Sequence, residues 1–237
     1  MKKFTILAII PARKGSKRVR NKNMRLINNK PLIYYTISEA LKSKKITDVI
    51  LTTDSKKILA YGKKFTKLYT PFLRPSKLSR DHVETFPVMK HALLAMEKIK
   101  NKKYDFVILL QPTCPQRSYI DINKSIDLII KKKADTVISV TDVGPNHPFR
   151  MKRILHNGQI ANIFSHLKYE NMKPIQKLEK FYIRNGSIYI SKRITFNNSK
   201  SFVGKKIFPY YMPYNRSINI DTIDDLFLAR KKIKYEK

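Results

Sequence analysis

Apolar positions along this 237-residue chain recur in two rhythms. Short β-branched runs predict buried strands, and stretches with apolar residues every three or four positions predict amphipathic helices. Strands are expected at Thr5–Ile10, at Asp48–Asp54, over "YDFVILLQ" (104–111) and over "DTVISVTDV" (135–143). Helices are expected between them. The first spans 30–43, with Pro31 suited to a first turn and Ile33, Ile37, Ala40 and Leu41 at helical spacing. A lysine-rich helix follows at 55–65. Next comes 84–100, with Met89, Ala92, Leu93 and Met96 on one face, and then 119–133, with Ile122, Ile126, Ile129 and Ile130 in register. Residues 70–81 are a loop by their prolines and polar residues. This alternation implies an α/β fold, a mostly parallel sheet with helices on both faces.

After Val143 the pattern changes. Residues 144–182 are strand-poor and turn-rich and suggest an inserted subdomain. "YIRNGSIYI" (182–190) returns to strand character, and "KKIFPYYMP" (205–213) suggests an edge strand. "SINIDTIDDLFLARKKI" (217–233) is expected to run from a short strand into a C-terminal helix. No internal repeat or low-complexity linker divides the chain, so 1–237 is expected to be a single domain.

Composition bounds what this fold can do. The hydrophobic fraction of 42% and aromatic fraction of 11% belong to a globular chain. No apolar run reaches the roughly 18 residues of a membrane span. The N-terminal "MKKFTILAIIPAR" resumes charge at Arg13 without a small-residue cleavage site, so a cytoplasmic location and no membrane partner are expected. A single cysteine, Cys114, leaves no internal disulfide or cysteine metal cluster. The net charge of +33 suits a polyanion partner, but also a coding bias towards Lys, Ile and Asn. The lysines spread along the whole chain and no nucleic-acid-binding motif accompanies them, so no nucleic-acid partner is expected.

In an open parallel sheet, ligands bind beyond the carboxyl ends of the strands. That rim takes the Pro11–Asn23 loop, Asp54, the Gln111–Arg117 loop and Asp221. The first loop, "IIPARKGSKRVRNKN", has neither Walker nor G-x-G-x-x-G spacing. It still holds Gly15 for close backbone approach, the Ser16 hydroxyl, and Arg13, Lys17 and Lys22 as cations. By composition it is equally a triphosphate loop and a solvated basic loop. Its position after the first buried strand favours a ligand.

This loop closely resembles the opening motif of the acylneuraminate cytidylyltransferases, the CMP-sialic acid synthetase family. "NKPLIYYTI", "ILTTDS", "LRPSKLSRD", "LLQPTCPQR", "NHPFR", "IQKLEKFYIRNGSIYI" and "INIDTIDDL" follow in the family's order. The resemblance covers almost the whole chain. It implies a Rossmann-like nucleotidyltransferase fold with a dimerisation insert and a homodimer with composite sites. It also implies a reaction in which CTP and a nonulosonic acid give the CMP-sugar and pyrophosphate, with Mg²⁺ as cofactor.

Residue by residue, Arg13, Gly15, Ser16, Lys17, Lys22 and Asn23 match the family's nucleotide loop. Arg18 and Arg20 have no match and are read as solvated. Arg74, Asp81 and Thr85 fall where the family contacts or supports the nucleotide, though Asp81 or Thr85 would serve equally as a helix cap. Gln111 matches the glutamine that meets the sugar acid, and Arg150, Gln176, Asn185 and Tyr189 match further sugar-side positions. Lys22, Gln111 and Asp221 are the implied catalytic set. Cys114 is read as a small packed residue. His147 has no second ligand at zinc spacing.

Two departures stand out. The family's metal site ends in Asp-Ile-Asp, whereas here Asn219 precedes Ile220 and Asp221, leaving Asp221 as the principal metal ligand and Asn219 a weaker one. Asp221 also reads as a helix N-cap. Ile175 and Ile183 stand where relatives carry charged residues, which leaves two expectations open: a sugar acid held differently, or a sugar other than N-acetylneuraminate. The alternatives are a cytidylyltransferase for the eight-carbon acid sugar Kdo, and a catalytically weakened nucleic-acid-binding protein.

Overall fold

The computed structural model describes residues 4–164, 172–198 and 201–233. Seven strands form one sheet. In chain order they are β1 (Ile6–Pro11), β2 (Asp48–Thr52), β3 (Leu68–Tyr69), β4 (Phe106–Leu109), β5 (Thr136–Asp142), β6 (Tyr182–Lys192) and β7 (Ile207–Tyr211). Their spatial order is β7-β5-β6-β4-β1-β2-β3. Only β6 pairs antiparallel, with β4 and β5, so the other six strands point the same way. The expected edge strand is β7.

β1 shows why helices cover both faces. Its side chains alternate sides. Ile6, Ala8 and Ile10 join one core, and Leu7 and Ile9 join another. The first core takes Ile33 and Ile37 from α1 (Leu32–Lys42), Ile58 from α2 (Lys56–Gly62), and Ile122, Ile126 and Ile129 from α4 (Tyr119–Lys132). The second takes Met89, Ala92, Leu93 and Met96 from α3 (Thr85–Lys100). These are the apolar faces the periodicity predicts, with two exceptions: Leu41 and Ile130 are only partly buried.

A third cluster positions the site. Leu226 and Ala229 of α5 (Ile223–Lys232) pack with Val19, Ile27, Leu32, Ile218 and Ile220. Val19 is the one apolar side chain in the basic run and is fully buried. It anchors that loop beneath the segment carrying Asp221.

Some expectations fail. Residues 217–221 form no strand. Ile220 makes a single backbone bond to the Thr113 carbonyl at 2.8 Å, and apolar packing rather than a ladder holds the segment. The insert contains a small antiparallel ribbon, Lys152–Ile154 with Ile160–Asn162, turning through Asn157-Gly158 with Gly158 at φ +81°. A second small ribbon pairs Leu26–Ile27 with Lys30–Pro31, and Asn28 and Asn29 turn it in the left-handed region. The Asn28-Asn29 turn adjoins the helical periodicity of 30–43, which obscured it, and the Asn157-Gly158 turn lies in the stretch read as strand-poor.

Asp121 fastens the 213–221 segment to α4. Its buried carboxylate accepts from Arg216 at 2.7 and 3.0 Å and from the Tyr210 hydroxyl at 3.0 Å. Burial alone would raise its pKa, but Arg216 and the Ser118 backbone and hydroxyl donors outweigh that and bring it down to about 2. A depressed folded pKa stabilises above the unfolded value and is lost as pH falls through the folded one. Asp121→Asn is expected to cost about 2 kcal/mol at neutral pH. In urea titrations the gap from wild type should close as pH falls from about 4 towards about 2.

Candidate active site

From β1 the chain turns towards β2, and from β4 towards β5, in opposite directions along the sheet. The rim between β1 and β4 is therefore a topological switch point, where such sheets bind ligands. A cleft of about 590 Å³ opens there. The first loop lines it with Arg13, Ser16, Lys17, Lys22 and Asn23. The β3–α3 connection adds Arg74, Asp81 and Thr85, and the far wall adds Gln111 and Asp221.

The expected residues divide. Those ten line the cleft; Gly15, Asn219, Arg150, Gln176, Asn185 and Tyr189 do not. Gly15 has open space around it, since an added Cβ would meet nothing within 4 Å. Of the two arginines read as solvated, Arg18 lines the cleft. Arg20 is exposed, and its carbonyl accepts from Arg25. Arg18 lacked a motif match, and its signal was only its place on the loop. Neither Asp81 nor Thr85 caps α3, whose N-cap is Glu84. Asp221 is not the cap of α5 either. Thr222 fills that role in a reciprocal capping box with Asp225, which leaves the Asp221 carboxylate facing the cleft.

The cations are held by nearby carboxylates. Asp81 accepts from Arg13 at 2.6 Å and pairs with Lys17 at 2.9 Å. Lys17 and then Arg13 lower the Asp81 pKa, so the pairing persists below the ordinary carboxylate range. Lys22 donates to the Ile220 carbonyl at 2.6 Å and to Asp221 at 2.9 Å. Arg74 is buried, donates to Ser79 at 3.0 Å and lies 3.6 Å from Asp54. Burial lowers its pKa and Asp54 opposes that. Asp54 also accepts the Lys14 backbone N–H at 2.8 Å, so it joins the first loop to Arg74 and does not line the cleft.

Beneath the floor is a dense polar layer. Gly186, at φ +75°, lies under Gln111, and a Cβ there would approach Gln111 Oε1 to 2.8 Å. Asn185 accepts from Ser139 at 2.6 Å and donates to Ser217 at 3.0 Å, so its amide ties β5 and β6 to the Asp221 segment. Cys114 donates to the Asn185 carbonyl, and burial pushes its thiol up to about 11. That fits the packed, unreactive reading. Tyr189 packs against the α3-side core.

Arg117 was missed as a site-forming residue. It is buried and donates to the Gln111 carbonyl at 3.3 Å, the Ser187 carbonyl at 2.6 Å and the Thr36 hydroxyl at 2.6 Å. Burial pulls its pKa down to about 10. It fixes the end of β4, and hence Gln111, to β6 and α1.

Arg150 and Gln176 sit on the insert, away from the cleft, with Arg150 donating to the Lys173 carbonyl at 3.3 Å. His147 is buried, caps a short turn and meets the Glu179 carbonyl at 2.9 Å. Among the described residues no three His, Cys, Asp or Glu side chains cluster to hold a metal. Asp221 offers one carboxylate, and Asn219 donates to it at 3.1 Å. That set fits a hard divalent cation bound largely through phosphate and water, not one held by protein alone.

The fold and this cation-lined cleft define an α/β protein with a basic site at its switch point. The cytidylyltransferase family matches residues 7–194. An N-acylneuraminate cytidylyltransferase of Escherichia coli O18:K1:H7 is 35% identical over 94% of this chain, which spans about half (51%) of that relative. A CMP-N,N'-diacetyllegionaminic acid synthase of Legionella pneumophila is 34% identical over 95% of both chains. A solved CMP:2-keto-3-deoxy-manno-octonic acid synthetase complexed with CTP has a TM-score of 0.68 at 16% identity, covering 96% of this chain and 97% of its own. That likeness speaks for the fold. The chain belongs to the cytidylyltransferase family.

Asp81 competes with any phosphate for Arg13 and Lys17. In calorimetric titrations, Asp81→Asn is expected to bind pyrophosphate about threefold or more tightly, the scale of releasing two exposed ion pairs. Weaker binding would mean that Asp81 orients these cations for the ligand.

Proposed function

We propose that the protein transfers CMP from CTP to the anomeric hydroxyl of a sialic-acid-like nonulosonic acid, releasing pyrophosphate. The observation that carries this is the switch-point cleft, where Arg13, Lys17, Lys22 and Arg74 face Gln111 and Asp221. The relatives support the sugar class: they are named for acylneuraminate and for diacetyllegionaminic acid.

In this reaction the hydroxyl oxygen gives up its proton to solvent and bonds to the α-phosphorus as the bond to the pyrophosphate leaving group breaks. Such transfer depends on positioning and charge neutralisation. Arg13, Lys17 and Arg18 would spread over the β- and γ-phosphates, where leaving-group charge grows. Lys22 exchanges the Asp221 carboxylate for phosphate oxygen. Gln111, held by Arg117 and Gly186, orients the sugar acid. Mg²⁺ would be held by Asp221, with Asn219 as a neutral neighbour, and supplies charge neutralisation at phosphate when bound.

A homodimer completes this reading. Arg150 and Gln176 lie outside their own cleft, and the insert and nearby strand ends expose Ile154, Ile160, Met172, Ile183 and Tyr211. An apolar surface of that kind suits a second subunit, whose cleft the insert would reach. A cytoplasmic site of action accords with the use of CTP. Among the described residues no helix is long and apolar enough to cross a membrane.

Purified protein with CTP, Mg²⁺ and a panel of nonulosonic acids plus Kdo is expected to release pyrophosphate with a nonulosonic acid. Release with Kdo alone would favour the eight-carbon reading, and release with none would reject the activity. Lys22→Ala and Gln111→Ala should each lower turnover by about 10²-fold or more, the effect of losing one preorganised polar contact. Near wild-type rates would remove those assignments.

A further inference from the structure

Part of the excess positive charge gathers at one edge of the fold. Because six strands point one way, α1 to α4 all end at the edge where the next strand begins, opposite the cleft. Backbone bonds sew this edge into a line: Thr47 to Ile6, Asp105 to Thr5, Arg193 to Asp105, Lys192 to Asp135, and Asp135 to Lys206. Each helix-to-strand connector on it carries exposed lysine. Lys44 and Lys45 follow α1; Lys63, Lys64 and Lys67 follow α2; Lys103 follows α3; Lys133 follows α4.

The acids of this edge are already engaged. Asp48 is buried and meets Lys102 at 2.9 Å, Lys100 at 3.4 Å and the Tyr104 hydroxyl at 2.8 Å. Glu97 takes Arg193 at 2.9 Å and Lys103 at 3.1 Å, and Asp135 takes Lys192 at 2.9 Å. Asp105 accepts the Thr5 backbone N–H and hydroxyl. Lys44, Lys63, Lys67 and Lys133 have no carboxylate at ion-pair distance among the described residues.

Lysine near a helix C-terminus complements the helix dipole, but that effect fades within the last turn. Lys63 and Lys133 are the C-caps of α2 and α4, whereas Lys44, Lys45, Lys64, Lys67 and Lys103 lie beyond the caps. Aromatic rings here lie under ammonium groups: Lys64 over Tyr61, Lys100 over Tyr69, and Lys132 and Lys206 over Phe208. They are not bare platforms for stacking bases. The connectors are also short, three to five residues each, so their lysines stay near the edge of the sheet. A rod-like duplex would touch it along one line, whereas a bilayer meets every connector at once.

We propose that this edge docks the protein on an anionic lipid surface, leaving the cleft open on the far side. Attachment is electrostatic, reversible and salt-sensitive, with each lysine near the surface worth about fivefold in partition.

The test is co-sedimentation with phosphatidylcholine vesicles containing about 30% phosphatidylserine, at about 0.1 M salt. Wild type is expected to bind these and not pure phosphatidylcholine, and to release by about 0.5 M salt. The quadruple variant Lys44→Gln, Lys63→Gln, Lys67→Gln, Lys133→Gln should lose about 100-fold or more in partition while keeping its melting temperature and pyrophosphate binding. A charge-matched control, Lys56→Gln, Lys57→Gln, Lys90→Gln, Lys124→Gln, removes exposed lysines from the helix flanks and should retain most binding. Equal losses in the two variants would mean unspecific charge and overturn the docking face. So would absence of vesicle binding, its loss on Arg13→Gln with Lys17→Gln in the cleft, or displacement from vesicles by an oligonucleotide that binds more tightly through the same four lysines.

Discussion

The constraint that organises this molecule is the two-sided burial of β1. Its six residues leave no face for water until Pro11, so the chain must supply apolar cover on both sides. Helices are the connectors that do this between codirectional strands. Once α1 covers one face and α3 the other, the loop after β1 can only emerge on the rim beside β4. The site follows from that requirement. The basic loop needs no glycine-rich turn to be placed, because the strand before it and Val19 within it fix both of its ends.

The cleft's own carboxylates offset part of its positive charge. Asp81 holds two cations and Asp221 holds Lys22, so the cationic walls do not simply repel each other. Each pairing is also a relation that an incoming polyanion must replace. This makes the carboxylates part of the recognition, since they set how strongly phosphate must bind to displace them. With Asn219 in place of a second acid, the Asp221 end carries a single negative charge, closely matched by one ammonium. Lys22 is 12% exposed, so this pair is better shielded from solvent than those at Asp81, where Lys17 is 78% exposed.

Periodicity made the frame legible, since strands and helices of this length bury stripes that only one rhythm satisfies. It did not reveal the short elements. β3 has two residues, too few for any alternation, and the two ribbons depend on Asn-rich turns instead of apolar repeats. The first loop was legible as a loop on the cleft rim, but Arg18 and Arg20 were indistinguishable in sequence because what separates them is the turn around Val19. Arg117 was invisible for a different reason. A sequence predicts an arginine outside, and only the packing of β4, β6 and α1 shows one satisfied by two carbonyls and a hydroxyl.

The two basic regions cannot share one task. A strand of about six residues spans roughly 20 Å, which sets the order of distance between the connector lysines and the cleft. The Debye length at physiological salt is about 8 Å, so charges that far apart are largely screened from one another. Cations on the rim act on whatever anion enters the cleft, while cations on the opposite edge contribute little there. The local acids Asp48, Glu97 and Asp135 are already taken, so an anion lying against that edge would meet lysines without carboxylate partners, and it would do so without touching any residue of the cleft.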